Sequence, residues 1–224
     1  MSTTPTQPEP TPSPIPYKQI RALFDSQTIT LYQAYNPTIA TAAVTTQKLN
    51  ASPLFKTTRM TWIKPSWAWM LYRSGYSHKD PNQSRILALR INHSDFLWLL
   101  SQGVVSHRNP ADKEREGGKR LTGIRIQWDP ERDVKMEKLG YRSIQIGIPG
   151  GEICEKWLGM IIRIEDVTDK ARELKRVIDG RPGVTVEELK EMGLVPEERV
   201  FEVEDEEVRG RLGMDWPDGD ISTE

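Results

Sequence analysis

The sequence predicts a single domain of the α+β class, in which helices flank a mainly antiparallel sheet. Both a continuous sheet and a split sheet are compatible with the pattern. Short segments with strand patterns are interspersed with helical segments, without the strict alternation of a doubly wound sheet. The 224 residues are enough to bury a core. We expect a disordered proline-rich tail over residues 1–16, a globular domain over 17–180 and a partly ordered acidic extension over 181–224.

The first segments of the domain predict two strands and a helix. KQIRALF (18–24) and TITLYQAY (28–35) are rich in β-branched and aromatic residues, which is typical of strands. Asn36 before Pro37 combines a capping residue with a first-turn proline, and so predicts a helix over 37–49.

The next two strand patterns are each followed by a helix pattern. RMTWIK (59–64) predicts a short strand, after which Ser66 caps a helix that Gly75 ends. RILALRI (85–91) alternates as a strand does, and DFLWLLSQ (95–102) follows a capping serine as a helix.

The second half of the domain predicts a strand pair followed by helices. A charged loop over 106–120, expected to be mobile, precedes the strands GIRIQWD (123–129) and RSIQIGI (142–148). Apolar residues at steps of four, four, three and three then predict a helix over 153–167. Thr168 is a candidate cap for a further helix over DKARELKRVID (169–179), which we expect to end at Gly180.

The chain after Gly180 is acidic, with one predicted helix and one predicted strand. Thr185 and Glu188 have the spacing of a capping box, and ERVFEVEDEEV (198–208) predicts an edge strand. This end carries 5 Lys or Arg against 14 Asp or Glu, whereas the rest of the chain carries 26 against 18. A basic body with an acidic end occurs in proteins that bind polyanions, and an ordinary solvated surface is the alternative.

Several protein classes lose support because their signatures are missing. The sequence has no GxxxxGK[ST], GxGxxG, GxSxG or HExxH motif. Cys154 is the only cysteine, and no run of 18 apolar residues occurs. We therefore expect no metal and no membrane partner, and an intracellular location, cytoplasmic or nuclear.

The segment TWIKPSWAWMLYRSGY (61–76) concentrates aromatic side chains and two cations. Helical spacing places Trp67, Met70 and Leu71 on one side as a core stripe. The other side combines rings with a guanidinium and consists of Trp69, Tyr72, Arg73 and Tyr76. Such a set can stack a base and pair a phosphate. A core with one arginine reaching solvent is the alternative.

Arg21 lies on the first predicted strand, where alternation places it on the same side as apolar Leu23. A cation on an apolar strand face requires a partner. Asp25 is one candidate partner, and a bound anion is the other.

The strands around residues 125 and 145 predict a sheet with one isoleucine face and one polar face. Asp129 and Glu131 flank Pro130 in a predicted turn and form the best carboxylate pair for acid or base catalysis, although an ordinary turn before a helix is the alternative. The candidate ligand-binding residues are Tyr35, Lys64, Trp69, Arg73, Tyr76, Arg125, Gln127, Arg142 and Ser143.

Four motifs together resemble a known family. RALFD with TLYQAY, then TWIKPSWAWMLYRSGY, then IQWDPER, then RSIQIGI occur in one order between Ile20 and Lys170. This arrangement is similar to family 4291 of the domains of unknown function, found in bacteria and in fungi and other eukaryotes. The resemblance implies kinship and little chemistry.

The sequence also resembles ADP-ribosyltransferases, which bind NAD in a cleft of a split antiparallel sheet. That resemblance implies NAD as cofactor and gives Arg21, Tyr72 and Gln145 the catalytic positions. The resulting hypothesis is a protein that binds a nucleotide or nucleic acid on a basic aromatic face, with NAD-dependent transferase activity. The alternatives are a non-catalytic nucleic-acid-binding module and an interaction protein whose aromatic residues are all core.

Overall fold

Nine strands and seven helices form within residues 16–106 and 123–214, the part of the chain that this computed structural model describes. Most of the proline-rich tail expected over 1–16 and most of the charged loop expected over 106–120 lie outside the described residues. The strands are β1 (Arg21–Ala22), β2 (Thr28–Tyr35), β3 (Thr61–Ile63), β4 (Arg85–Asn92), β5 (Gly103–Val105), β6 (Ile124–Arg132), β7 (Lys138–Ile148), β8 (Arg163–Asp166) and β9 (Arg199–Val200).

The helices begin at capping residues for the most part. Asn36, Ser66, Thr185 and Asp205 each accept a hydrogen bond from the main chain of the helix that follows. The helices are α1 (Pro37–Thr46), α2 (Trp67–Ser74), α3 (His93–Ser101), α4 (Glu152–Met160), α5 (Thr168–Gly180), α6 (Val186–Glu191) and α7 (Glu206–Leu212).

The strands make three sheets with the orders β1-β9, β2-β4-β8 and β3-β7-β6-β5. Every pairing is antiparallel except that of β5 with β6. Tyr32 and Lys64 join the two larger sheets, because each accepts a main-chain hydrogen bond from the other, at 3.1 and 2.6 Å. The α+β fold with a mainly antiparallel sheet is thus confirmed.

Two apolar cores lie on opposite faces of these sheets. The main core receives the isoleucines of β6 and β7 and is covered by α1, α3, α4 and α7. The second core lies under α2, α5 and α6, where Trp67 and Leu174 pack near Tyr32 and Ala88. Strand alternation explains the division, since Leu87 and Leu89 face the main core while Ile86 and Ala88 face the second.

Three sequence-based expectations are wrong in detail. The helix predicted over 153–167 ends at Met160, because Ile164 instead pairs with Leu89 as part of β8. The edge strand predicted over 198–208 is limited to β9, and α7 begins at Glu206 after its Asp205 cap. Strand pairing has overridden the helical period at Ile164, and the Asp205 cap has favoured a helix over a strand at Glu206.

The third correction concerns Asp129, Pro130 and Glu131, which do not form a turn. They lie within β6, where Asp129 pairs with Ser143 and Pro130 with Arg142, just before a shift in strand register. Proline has no N–H and so removes a hydrogen bond from the strand ladder. It is therefore tolerated in a strand at an irregularity such as this one, where the regular ladder is already interrupted. Both carboxylates are therefore held on a sheet.

The chain beyond Gly180 packs against both cores. Leu189 and Leu194 belong to the second core, and Phe201 and Leu212 to the main core. The Phe201 N–H donates to the Ile20 carbonyl at 2.7 Å, next to the pairing of β1 with β9. No helix within the described ranges is long and apolar enough to cross a lipid bilayer.

Candidate functional site

The sheet of β3, β6 and β7 has a polar side opposite the main core. We call it the polar face, and its residues are Trp62, Lys64, Arg125, Gln127, Asp129, Glu131, Ser143 and Gln145. Period-two alternation produces it, since Ile63, Ile126 and Ile144 point the other way into the main core. The structure therefore brings most of the predicted ligand-binding residues of these strands together.

An amide and carboxylate network crosses the polar face. Gln145 pairs with Gln127 across the two strands and donates from Nε2 to its Oε1 at 2.9 Å. The same nitrogen donates to Oδ2 of Asp129, which is only 2 % exposed. Such a buried network fixes the orientation of its members, because each polar group depends on the next for a partner.

Lys64 contributes a buried amine to the polar face. It is 4 % exposed, and burial together with the nearby charge of Arg73 lowers the pKa of Lys64 to about 8, against a raising contribution from Asp129. Lys64 therefore exchanges its proton near pH 8, well below an ordinary surface lysine. Arg73 itself is exposed at the end of α2.

Trp62 and Arg125 lie at the end of the polar face nearest Gly147. Gly147 pairs with both residues, and a Cβ at that glycine would lie 2.9 Å from the Trp62 ring. The indole therefore covers the glycine, and no larger residue fits without moving it. Arg125 is half-buried, and its Nε atom has no hydrogen-bond partner among the described residues.

The opposite end of the polar face carries Glu131. It is 3 % exposed, and burial raises the pKa of its carboxyl despite hydrogen bonds from Ser66, Ser143 and the Arg132 main chain and the nearby charge of Arg21. Those favourable contacts hold the acid in place. The raised pKa brings proton exchange at Glu131 closer to neutral pH.

A second acid, Glu198, reaches this end from the loop before β9. Its Oε1 accepts a 2.6 Å hydrogen bond from the Trp67 N–H at the start of α2. Burial, reinforced by the negative charge of Glu131, raises the pKa of Glu198 to about 8. Arg21 and Lys170 oppose that rise less effectively.

Arg21 lies beside these acids, and its expected ion pair with Asp25 is not formed. Its guanidinium donates to the Glu198 carbonyl at 3.1 Å. Asp25 instead accepts from the N–H groups of Gln27 and Thr28 at 2.9 and 2.7 Å, and so closes a local turn. The carboxylate of Asp25 is therefore hydrogen-bonded within its own turn and is not directed at Arg21.

Helix α2 divides as its spacing predicts on the buried side. Trp67, Met70 and Leu71 are 1 %, 2 % and 0 % exposed, so the core stripe is confirmed. On the other side Trp69 stacks on Tyr72, with ring centroids 5.1 Å apart and planes 25° apart.

The stacked pair is already partly engaged by the protein. The Arg132 guanidinium lies 4.4 Å from the centroid of the Tyr72 ring. Tyr72 is 37 % exposed, whereas Trp69 is 5 % exposed and its Nε1 has no hydrogen-bond partner among the described residues. Any stacking of a ligand base here therefore involves Tyr72 more than Trp69.

Three predicted ligand-binding residues lie away from the polar face. Tyr76 is 8 % exposed and donates to the Val134 carbonyl at 2.5 Å, in the second core. Tyr35 packs against the main core. Arg142 alternates to the isoleucine side of β7 and donates from Nε to the Tyr17 hydroxyl at 2.7 Å. Arg142 therefore does not join Gln145.

The three residues predicted to be catalytic, Arg21, Tyr72 and Gln145, each contact different residues. Arg21 bonds to Glu198, Gln145 to Gln127, and Tyr72 stacks on Trp69. No described hydrogen bond or ring contact joins the three. Their role in catalysis stays a prediction.

Sequence reasoning missed Trp62 and Glu198 as members of this region. Trp62 had an available signal, because it lies two residues before Lys64 on a short strand and so must share its face. Glu198 had none, since 131 residues separate it from Trp67. Within the described ranges no group of three His, Cys, Asp or Glu side chains is arranged to hold a metal ion.

Comparison with known proteins gives one family. A family model described as Domain of unknown function (DUF4291) matches residues 19–201. That range contains the whole polar face and also Arg21, Arg73 and Glu198. The comparison with curated proteins gives no match.

Proposed function

The chain belongs to the family called Domain of unknown function (DUF4291), whose model matches more than half of its length, and we propose that the polar face binds a nucleotide, free or within a nucleic acid. The observation that carries this proposal is the proximity of Lys64 and Arg73, close enough for the arginine to lower the pKa of the lysine. Two like charges held together disfavour one another, and a phosphate between them relieves that repulsion.

The geometry suits a phosphate that enters from the exposed side of the face. Arg73 is exposed and free to reach solvent, whereas Lys64 is 4 % exposed and forms the floor. An incoming phosphate raises the pKa of Lys64, since a nearby negative charge favours the protonated amine. Binding would therefore be accompanied by proton uptake near pH 8.

The remaining groups of the polar face fit the other parts of a nucleotide. Gln127 and Gln145 present amides, which can hydrogen-bond a base edge or a ribose hydroxyl. Trp62 and Tyr72 present partly exposed rings, and stacking of a base on a ring is worth about 1–3 kcal/mol. These contacts supply selectivity while the cations supply attraction.

Replacing Arg73 with Ala is expected to weaken nucleotide binding by about tenfold or more, because a charged hydrogen bond to phosphate is lost. Isothermal titration calorimetry with NAD, ATP and a short RNA measures this. Affinity of the wild-type protein is also expected to fall as salt increases, because phosphate binding releases counterions.

Lys79→Ala is the matched control, since Lys79 is an exposed cation just beyond α2. Equal affinity of the Arg73 and Lys79 variants would contradict the phosphate role of Arg73. Absence of binding by all three probes at low salt would contradict the proposed function itself.

ADP-ribosyl transfer from NAD is a second candidate, and the buried carboxyl of Glu131 favours it. In this reaction an acceptor nucleophile attacks C1′ of the nicotinamide ribose while the C1′–N bond breaks. Nicotinamide leaves with the bonding electron pair, and the proton of the acceptor passes to a carboxylate base. A carboxyl whose pKa is raised towards neutral, as that of Glu131 is, accepts such a proton more effectively.

Glu131→Gln is expected to lower the rate of label transfer from adenylate-labelled NAD by at least about a hundredfold, because general base catalysis is lost. Transfer is measured on RNA, DNA and protein acceptors, and NAD affinity is measured in parallel. Unchanged transfer in this variant would rule out Glu131 as the base. NAD binding without any transfer by the wild-type protein would leave a non-catalytic nucleotide-binding module.

A further inference from the structure

A small pocket lies on the second-core side of the β2-β4-β8 sheet, outside the polar face. Its volume is about 120 Å³, and Ala88 forms part of its wall. The polar side chains that line it are Thr30, Tyr32, Arg90, Glu165 and Lys170. Because Ala88 is small, the larger side chains around it leave a gap that Trp67 borders from α2.

Four polar groups at this pocket lack a protein hydrogen bond. The side chains of Thr30, Tyr32, Arg90 and Lys170 form none with any other residue in the described ranges. Tyr32 is only 3 % exposed and Thr30 only 7 %. Buried polar groups in proteins are nearly always hydrogen-bonded, so the contents of the pocket are expected to satisfy them.

Charge favours an anion over water as that content. Arg90 and Lys170 are half-buried cations from β4 and α5 that meet at one small volume. Burial lowers the pKa of Lys170, because its charged form has lost water, and the nearby charge of Glu198 offsets this only in part. A bound anion would offset that cost at Lys170 and could pair with Arg90 at the same time.

The acidic groups around the pocket are already engaged. Glu165 pairs with Arg163 at 2.5 Å, and Asp25 is held in its own turn although Arg90 lies near it. Glu198 faces Lys170, but its pKa of about 8 keeps it protonated at neutral pH. The two cations of the pocket therefore remain available to a ligand below that pH.

We propose that this pocket binds a small oxyanion, a phosphate or carboxylate group, through Arg90 and Lys170 with the hydroxyls of Thr30 and Tyr32. The hydroxyls donate to the oxygens that the guanidinium and ammonium leave uncovered. The volume of about 120 Å³ admits an ion of this size and excludes a whole nucleotide. No residue is shared with the polar face, so this site is independent of the proposed nucleotide binding.

Titration of the full-length protein with inorganic phosphate, acetate and adenosine monophosphate at constant ionic strength tests this site. The variants are Arg90→Gln, Lys170→Met and Tyr32→Phe, and Arg176→Gln on the exposed side of α5 is the matched control. Calorimetry and phosphorus resonance broadening measure binding directly, which avoids the general stabilising effect of phosphate on proteins.

We expect one phosphate or acetate per protein, with affinity about tenfold lower in Arg90→Gln and Lys170→Met and unchanged in Arg176→Gln. Tyr32→Phe removes one hydroxyl from the pocket and is expected to weaken binding about fivefold, which keeps the test valid if a cation variant fails to fold.

Three outcomes would overturn the site. The first is no binding of either small anion, and the second is equal binding by the Arg90, Lys170 and Arg176 variants. The third is binding of adenosine monophosphate alone that Arg73→Ala abolishes, which would assign the anion to the polar face. Failure of nucleotide binding alone would leave the oxyanion site intact.

Discussion

Glu198→Gln is expected to remove the contribution of this side chain to the pH dependence of the free energy of unfolding. Through Glu198, the wild-type protein loses stability as pH rises from about 4.5 to 8. In the folded protein the pKa of Glu198 is about 8, against an ordinary value of 4.5. Between those values the folded state holds a proton that the unfolded state has released, so stability falls as pH rises. Glutamine resembles the protonated acid and keeps an oxygen for the Trp67 N–H.

The expected difference is on the order of 5 kcal/mol in favour of the variant near pH 9, and close to zero near pH 4.5. Urea unfolding at a series of pH values measures it. Glu197→Gln is the matched control, because Glu197 is an exposed neighbour paired with Lys190 at 3.3 Å. If the Glu198 and Glu197 variants follow the wild-type curve equally, Glu198 is ionised in the folded protein and its charge is balanced by Arg21 and Lys170.

Lys64→Met is expected to show the opposite dependence on pH. The folded pKa of Lys64 is about 8, below the ordinary 10.5, so between these values the unfolded state holds a proton that the folded state has lost. Stability conferred by this residue therefore rises with pH across that interval. Relative to the variant, the wild-type protein is expected to gain about 2 kcal/mol between pH 8 and 10.5.

The comparison is made as a difference between the two proteins, because buried tyrosines such as Tyr76, whose pKa burial raises to about 12, also make stability depend on alkaline pH in both. Lys79→Met provides the matched surface control. A constant difference across this interval would show that Lys64 stays charged beside Asp129. In that case the proton uptake expected on phosphate binding would also be absent.

The faces of the strands were predictable from alternation. Arg125 and Gln127 were placed opposite the isoleucines by sequence, and the structure puts them on the polar face. The same rule would have added Trp62 beside Lys64. Predictions of this kind succeed because side-chain direction on a strand depends only on position along it.

The failures arise where a distant segment decides the local structure. Asp129 and Glu131 flank a proline that locally favours a turn, but pairing with β7 holds them in a strand. Ile164 continues a helical period, but it pairs with Leu89 of β4 and lies in β8, the third strand of that sheet. Glu198 reaches α2 across 131 residues. Local patterns contain no information about such partners.

The pairing of β1 with β9 limits how early the domain can complete its folding during synthesis. Arg21 finds its strand partner only at Val200, and Leu212 still contributes to the main core. A nascent chain cannot complete either feature until those residues have left the ribosome. Because contacts between such distant residues slow folding, the apolar surface of the first strands is expected to stay exposed until the C-terminal residues have been synthesised.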